Sequence, residues 1–294
     1  MWNNILYRLV YGWVALHARL PFGVLYGLSD LLYILVYKAA GYRLKVVRRN
    51  MKASFPEKTD EELRRLERAF YHHFCDYIVE TVKLAHISPA EIKKRAHMTN
   101  PELIDRLTSG KHACVIGYMG HYGNWEWFTS VCLSFEPTPY QIYRPLKSKV
   151  FDRLFIHLRT RFGAYCVRKE DAVRKVFSLE KNGQRSVVPF IADQTPSRAN
   201  IHYWTRFLGQ DSPFFTGAEH LARKLDLPVV FFDVQKVKRG YYRVDVRLVS
   251  ESPKDTPEFW LTEQYARMME QCIMRNPAYW LWTHRRWKHK RQAL

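Results

Sequence analysis

The fold of this chain is indicated first by residues 113–127, an apolar run followed by a polar motif between glycines: Ala113-Cys114-Val115-Ile116-Gly117-Tyr118-Met119-Gly120-His121-Tyr122-Gly123-Asn124-Trp125-Glu126-Trp127. The short apolar run contains two β-branched residues and ends at a turn signal, which is typical of a buried strand. Gly120 and Gly123 end the strand, and Asn124 is a good N-cap for a following helix. The sequence therefore predicts that His121 lies at the carboxyl end of a buried strand, just before a helix.

The spacing of His121 and Glu126 makes a specific contact possible. On one ideal helix, residues five apart are rotated by about 140° from each other, so these side chains meet only if Tyr122 and Gly123 form a turn. Glu126 would then bond one imidazole nitrogen, and the other nitrogen would take a proton from a substrate hydroxyl. We therefore predict a catalytic dyad of His121 and Glu126. The backbone N–H groups of Gly123 and of the helix start at Asn124 would bind an oxyanion or phosphate of the substrate.

Residues 120–126, Gly-His-Tyr-Gly-Asn-Trp-Glu, closely resemble the His-x4-Glu motif of the bacterial lipid A late acyltransferases, the lauroyl and myristoyl transferases. That family belongs to the glycerolphosphate and lysophospholipid acyltransferase superfamily, whose commoner signature has Asp in place of Glu. Further stretches match in order: Tyr143-Arg144-Pro145, Ala192-Asp193-Gln194, Phe215-Thr216-Gly217-Ala218, Cys272-Ile273-Met274-Arg275-Asn276-Pro277 and Trp282-Thr283-His284-Arg285-Arg286-Trp287-Lys288. The resemblance covers nearly the whole chain.

The resemblance implies an enzyme that moves a fatty acyl chain from acyl-acyl carrier protein to a hydroxyl group of a lipid A precursor, an anionic lipid. It implies a location at the cytoplasmic face of the inner membrane, and neither a metal nor a cofactor is needed. A lysophospholipid or an amino-acid lipid is the alternative acceptor. A membrane-binding scaffold without chemistry is the alternative that is not an enzyme, and the intact His121 and Glu126 count against it.

The composition indicates an anionic partner, because 47 Lys and Arg against 28 Asp and Glu give the 294 residues a formal charge of +19. Nucleic acid, an anionic membrane and an acidic carrier protein all fit this charge. The 9 Trp, 18 Tyr and 17 Phe favour a lipid interface. Aromatic and basic residues alternate over 280–291, a pattern that fits binding to a layer of lipid headgroups or to single-stranded nucleic acid. No nucleic-acid motif accompanies that segment, so we predict no nucleic-acid partner. Five Cys without a Cys-x2-Cys pair argue against a zinc module or a disulfide framework.

The N-terminal residues 1–42 are predicted to form a hydrophobic helical membrane anchor, and residues 43–294 the acyltransferase domain. The apolar block 22–40 is about long enough to span a bilayer, but Asp30 near its centre would cost roughly 2.5 to 3.5 kcal/mol there. An interfacial helix is therefore as plausible as a true span, and a buried helical hairpin is the alternative to both. A basic flank for anionic headgroups follows at Arg43, Lys45, Arg48 and Arg49.

Three further residues are candidates for substrate binding. Arg144 follows a predicted strand at 140–143, and its planar guanidinium can hold a phosphate in two hydrogen bonds. Arg159, on a predicted helix over 148–162, would complete an anion clamp, although a charged helix face is usually solvated. Asp193 follows a predicted buried strand at 186–191 and belongs on the same rim of the sheet as His121. It would position the acceptor or brace Arg144.

The remaining pattern predicts an α/β fold, in which a mixed central sheet is flanked by helices on both faces. Residues 228–234 form a further strand, and the alternation over 241–248 is typical of an edge strand with one solvated face. Acidic residues after Thr59 begin a helix that continues to about Leu84. Further helices are expected over residues 171–180, 216–225 and 257–275.

Overall fold

The structure is a computed structural model that describes residues 2–291. The helices α1 to α10 are Trp2–Ala18, Phe22–Tyr33, Leu44–Ser54, Asp60–Lys83, Pro89–Arg95, Glu102–Thr108, Lys149–Thr160, Ala172–Lys181, Gly217–Leu225 and Trp260–Arg275. The strands β1 to β9 are Ala96–Met98, Cys114–Met119, Thr138–Tyr143, Tyr165–Arg168, Ser186–Ile191, Tyr203–Phe207, Gln210–Phe214, Val229–Lys238 and Tyr241–Ser250. A π-helical segment, Ile34–Ala39, continues α2, and a 3-10 helix, Trp127–Leu133, follows β2.

Seven strands form the central sheet, in the order β1-β9-β8-β2-β5-β3-β4. Strand β2 runs parallel to both of its neighbours, β5 and β8, while β8 and β9 are antiparallel. The predicted α/β fold with a mixed sheet and flanking helices is thus confirmed. Strands β6 and β7 form a separate hairpin.

The strands predicted at 113–119, 140–143, 186–191 and 228–234 are all present. The prediction that residues 241–248 form an edge strand is wrong, because β1 pairs with β9 on its outer side. Strand β1 is only three residues long, too short to show a period of two. The segment after the motif is a 3-10 helix and not the expected α-helix.

Helices cover both faces of the sheet. The connections from β2 to β3 and from β3 to β4 lead towards the β4 edge of the sheet, whereas the connection from β4 to β5 leads back towards its centre. Because crossovers between parallel strands are right-handed, α7, which follows β3, and α8, which follows β4, lie on opposite faces of the sheet. The face that carries α7 also carries the 3-10 helix, where Phe128 packs on Phe232 with ring centroids 4.6 Å apart. On the other face, Tyr118 stacks on Tyr265 of α10 at 4.7 Å.

The longest helix, α4, contacts the motif that follows β2. Its start is a capping box, in which the Thr59 side chain accepts from the backbone N–H of Glu62 and the Glu62 carboxylate accepts from that of Thr59. Near its end lies Glu80, fully buried, which accepts hydrogen bonds from Asn124 at 2.7 Å and Tyr242 at 2.8 Å. Burial raises the pKa of Glu80 above its ordinary value.

The side of α2 that packs on the protein carries polar contacts beside the buried Leu25 and Tyr33. Ser29 donates to Asp76 at 2.8 Å, and the Arg239 guanidinium contacts both Asp76 and Asp30 at 2.6 Å. Asp30 thus has a charged partner in Arg239, although its own side chain remains more than half exposed. The segment Phe22–Ala39 is long and apolar enough to cross a bilayer, and 17% of it is buried inside the protein.

The outward face of α1 and α2 is apolar, which argues against a buried hairpin. More than half of the side-chain surface is exposed at several large apolar residues: Trp2, Leu6, Leu9, Trp13, Leu16, Leu31, Ile34 and Leu35. An exposed apolar face of this extent on a soluble surface marks an interaction site.

The C-terminal segment differs from its expected role at a headgroup layer. Trp280 and Trp282 are 2% and 0% exposed, and Arg286 is fully buried between the rings of Phe207 and Phe214. The aromatic residues of this segment are core residues, since their neighbours are other rings and not solvent.

Candidate active site

The centre of the site is a contact between His121 and Asp193 at the carboxyl ends of β2 and β5. The His121 imidazole Nδ1 lies 2.7 Å from Asp193 Oδ1, and the His121 backbone N–H donates to Oδ2 at 2.9 Å. The indole N–H of Trp280 donates to the same Oδ2 at 2.8 Å. Asp193 is 2% exposed, so its carboxylate is held by three donors inside the protein.

The charge on Asp193 is stabilised although the group is buried. Burial opposes ionisation, but the imidazole of His121 and the hydrogen bonds from His121 and Trp280 outweigh it and lower the pKa of Asp193 to about 2. An ionised Asp193 accepts a hydrogen bond from a protonated Nδ1, so the lone pair of the His121 ring lies on Nε2. The Gln194 amide nitrogen lies 3.3 Å from that Nε2, and the imidazole is partly exposed.

The residue before His121 must be small. A side chain at Gly120 would place its Cβ 2.2 Å from the sulfur of Met269 and 3.3 Å from Asp193 Oδ2. A glycine here therefore allows the strand end to approach the aspartate closely.

The predicted contact between Glu126 and His121 is not formed, and that part of the dyad prediction is wrong. Both carboxylate oxygens of Glu126 bind Arg159, at 2.8 Å from Nε and 2.6 Å from Nη2. Glu126 is 2% exposed, and the charged form of a buried carboxylate is stabilised by a charged partner, which α7 supplies. The imidazole Nδ1 of His121 is already hydrogen-bonded to Asp193.

The Arg159 guanidinium is fixed by this two-pronged ion pair. Burial opposes its charge, but the hydrogen bonds and the charge of Glu126 outweigh that and raise the pKa of Arg159. Among residues 2–291, no partner contacts its remaining terminal nitrogen, Nη1, and the side chain is partly exposed. That nitrogen is available to a ligand.

Gly123 and Asn124 have structural roles in place of the predicted substrate contacts. Gly123 forms the expected turn with φ of +63°, but its N–H donates to the Tyr279 carbonyl at 2.9 Å. The Asn124 side-chain oxygen accepts from the N–H of Trp127, the first residue of the 3-10 helix, at 3.1 Å, although the N-cap position itself is Glu126, and the Asn124 amide group donates to Glu80. Because the Gly123 N–H and the Asn124 side chain are already bonded and both residues are buried, these two groups do not face a substrate.

Arg144 lies on the same rim, immediately after β3, and its side chain is exposed. Arg144 forms no ion pair within residues 2–291. The expectation that Asp193 braces Arg144 is therefore not met. Strand β5 separates β3 from β2. The position remains open to an anionic ligand.

Several site residues were not predicted. Trp125 meets the His121 ring edge-on at 5.2 Å and stacks on Tyr77 at 4.1 Å. A narrow crevice of about 10 Å³ lies beside these rings and is lined by Phe70, His73, Phe74, Tyr77, Trp125, Tyr279, Trp280 and Leu281. The many aromatic residues in the motif and in the C-terminal segment indicated that aromatic rings would be important. Only the fold shows that these two segments lie together and line the crevice.

The loop that carries Asp193 is tied to the C-terminal segment. Thr195 donates to the Arg286 backbone carbonyl, and Arg286 Nη1 lies 3.4 Å from the Thr195 hydroxyl. Burial lowers the pKa of Arg286 to about 10 and that of the nearby His284 to about 4. Within residues 2–291, no group of three or more His, Cys, Asp or Glu side chains is arranged to bind a metal.

The chain is similar to known proteins along almost its whole length. Residues 3–289 match the family model described as bacterial lipid A biosynthesis acyltransferase. A curated relative is the lipid A biosynthesis lauroyltransferase of Escherichia coli (strain K12), which is 23% identical over 281 residues. That alignment covers 94% of this chain and 89% of the relative.

Proposed function

This chain belongs to the bacterial lipid A biosynthesis acyltransferase family, and from that premise we propose that it moves a fatty acyl group from acyl-acyl carrier protein to a hydroxyl group of a lipid A precursor. The observation that supports the chemistry best is the partly exposed imidazole of His121, whose Nδ1 is fixed by a buried, ionised Asp193. This arrangement is typical of a general base, and a non-catalytic membrane-binding protein would not require it.

The proposed reaction uses His121 twice. Nε2 takes the proton of the acceptor hydroxyl while its oxygen attacks the thioester carbonyl carbon, which gives a tetrahedral oxyanion and an imidazolium. The carboxylate of Asp193 stabilises that imidazolium. Collapse of the oxyanion breaks the carbon–sulfur bond, and the leaving thiolate takes the proton from Nε2. The products are an ester and the free carrier thiol.

Arg159 and Arg144 are proposed to bind the anionic groups of this reaction, namely the oxyanion and the phosphates of the substrate. Glu126 holds Arg159 by two hydrogen bonds, so the guanidinium keeps one orientation and offers Nη1 to the oxyanion or to a substrate phosphate. Glu126 thereby acts through Arg159 and not through His121. Arg144 is exposed on the same rim and suits a phosphate of the acceptor, because its fork can form two parallel hydrogen bonds.

We propose that residues 1–42 attach the acyltransferase domain, residues 43–294, to the cytoplasmic face of the inner membrane as an interfacial anchor. Support comes from the exposed apolar face of α1 and α2 and from the polar contacts of their opposite face with the protein. Part of the basic flank is used internally, since Arg48 pairs with the buried Glu67 at 2.7 Å. Lys45 and Arg49 stay exposed for anionic headgroups.

Mass spectrometry of lipids from cells with and without the gene tests the acceptor. We expect lipid A to lack one acyl chain in the absence of the gene, and the wild-type gene but not His121→Ala to restore it. Intact lipid A together with an altered phospholipid or amino-acid lipid would instead identify the alternative acceptor.

A further inference from the structure

An open cleft of about 520 Å³ lies at the β4 edge of the sheet, and neither His121 nor Asp193 lines it. It is lined by Tyr143, Cys166, Val167, Arg168, Asp171, Arg174, Lys175 and Ser178. We call this cleft and the outer side of α8 the α8 surface. Its position follows from the chain path, because β4 is the last strand of the sheet and α8 begins at Ala172, just after the carboxyl end of β4.

The α8 surface combines positive charge with exposed apolar side chains. Its basic residues are Arg168, Lys169, Arg174, Lys175 and Lys181. Two acidic residues, Glu170 and Asp171, lie among them, and Asp171 pairs with Arg174 at 2.7 Å. Three large apolar residues are more than half exposed: Tyr165, Val173 and Phe177. Such a mixture fits an acidic protein surface that also offers apolar contacts.

The α8 surface is within reach of the reacting atoms. Strands β2, β5, β3 and β4 run parallel, so His121 and Arg168 lie on one rim of the sheet. Three strand spacings separate β2 from β4, about 14 Å. An extended pantetheine arm covers such a distance, so a carrier protein bound here can present its thioester to His121.

The location also separates the α8 surface from the proposed membrane side. Helix α1 packs on α7, where Arg153 stacks on Tyr7 and His157 contacts Tyr11. Since α7 and α8 lie on opposite faces of the sheet, α1 lies on the face opposite to α8. The lipid acceptor can therefore arrive from one side and a water-soluble donor from the other.

We propose that the α8 surface is the docking site of the acidic carrier protein that bears the acyl chain. This inference rests on the proposed acyl-carrier donor. The basic residues bind acidic side chains of the carrier, and Val173 and Phe177 provide the apolar contact. Long-range attraction between the two charged surfaces also accelerates their encounter, an effect that salt weakens.

The test compares two donors with the same acyl chain, acyl-acyl carrier protein and acyl-pantetheine, at a fixed concentration of acceptor in detergent micelles. The variant is Arg168→Glu/Arg174→Glu, whose side chains are exposed. The matched control is Lys93→Glu/Lys94→Glu on α5, which changes the charge equally and lies near β1, the opposite edge of the sheet. The measured quantity is the ratio of kcat/KM for the carrier-borne donor to kcat/KM for acyl-pantetheine.

We expect the ratio to fall by about tenfold or more in the α8 variant and to stay at the wild-type value in the control, as expected for the loss of charge steering. Phe177→Ala should lower the ratio without changing its salt dependence. An unchanged ratio in the α8 variant would overturn the docking site while leaving the donor class intact. If the ratio is unchanged but a separate titration of the acceptor gives a raised KM for it, the surface would be assigned to the lipid. Wild-type enzyme that does not favour the carrier-borne donor would refute both the docking site and the carrier as donor.

Discussion

The imidazole of His121 and the carboxylate of Asp193 lie 2.7 Å apart although 72 positions separate them in the chain. Their contact follows from the sheet register. Met119 pairs with Ile191 at the ends of two parallel strands, and each of the two site residues lies two positions further on. Equal offsets from a paired position place the two side chains side by side at the rim.

Replacement of His121 tests the general base. His121→Ala should lower kcat by roughly two to four orders of magnitude, the usual contribution of general acid–base catalysis. In this variant the buried Asp193 loses the imidazole but keeps its hydrogen bonds from the backbone N–H of residue 121 and from Trp280, so the unfolding temperature should fall while the protein stays folded. A folded His121→Ala protein with wild-type turnover would exclude the mechanism.

Asp193→Asn should also lower kcat by roughly two to four orders of magnitude, because an amide favours the wrong imidazole tautomer and cannot stabilise the imidazolium. The pKa of Asp193 is lowered from 3.8 to about 2 in the folded protein. The ionised group therefore stabilises the fold above pH 3.8, and this contribution is lost as the pH falls towards 2. The difference in free energy of unfolding between wild type and Asp193→Asn should accordingly shrink over that range in denaturant titrations. A difference independent of pH would show that the low pKa is not present.

Glu126 and Arg159 should behave differently from the His121–Asp193 pair. Arg159→Met leaves a buried carboxylate without a partner, so the free energy of unfolding should fall by about 3 to 5 kcal/mol. Arg159→Lys keeps the charge but loses the two-pronged geometry, and we expect a lower kcat with a smaller change in stability. Glu126→Gln should leave the shape of the pH–rate profile unchanged, because Glu126 does not contact the imidazole. A profile altered in the same way as in Asp193→Asn would restore Glu126 as the partner of His121.

Arg144→Lys should raise the apparent KM for a phosphorylated acceptor, because an ammonium group cannot form two parallel hydrogen bonds to phosphate. Arg106→Lys on α6, where an exposed arginine pairs with Glu251, is the matched control and should have no effect. An acceptor that lacks the phosphate should show no difference between wild type and Arg144→Lys. If KM for the phosphorylated acceptor is also unchanged, Arg144 does not belong to the site.

The exposed apolar face of α1 should hold the protein on the membrane. Leu9→Glu/Leu16→Glu changes two residues that are 66% and 63% exposed, so the fold should persist while membrane attachment weakens and becomes sensitive to salt. Wild-type protein should resist a high-salt wash and require detergent, since buried apolar area is not screened by ions. Met274→Glu, on the opposite side of the sheet and 55% exposed, should behave as wild type. Fractionation that recovers the wild type as soluble protein at low salt would refute the anchor.

Local sequence patterns predicted the elements that carry the site. The run 113–119 became a buried strand, Gly123 a turn with positive φ, and Asn124 the acceptor for the N–H three residues on, because each depends on neighbouring residues alone. The same holds for the start of α4, where Thr59 and Glu62 are three residues apart. Strand β4, four residues long and rich in charge, had too weak a local pattern to be recognised.

The partners of the site residues were decided by the tertiary structure. The sequence by itself determined that His121 stands at a strand end, that Asp193 stands at another, and that the chain carries an apolar N-terminus and a large positive charge. Only the pairing of β2 with β5 brought Asp193 to the imidazole, and only the packing of α7 brought Arg159 to Glu126. The physical reason is that a buried charge binds the nearest group that satisfies it in three dimensions, and separation along the chain contains no information about that distance.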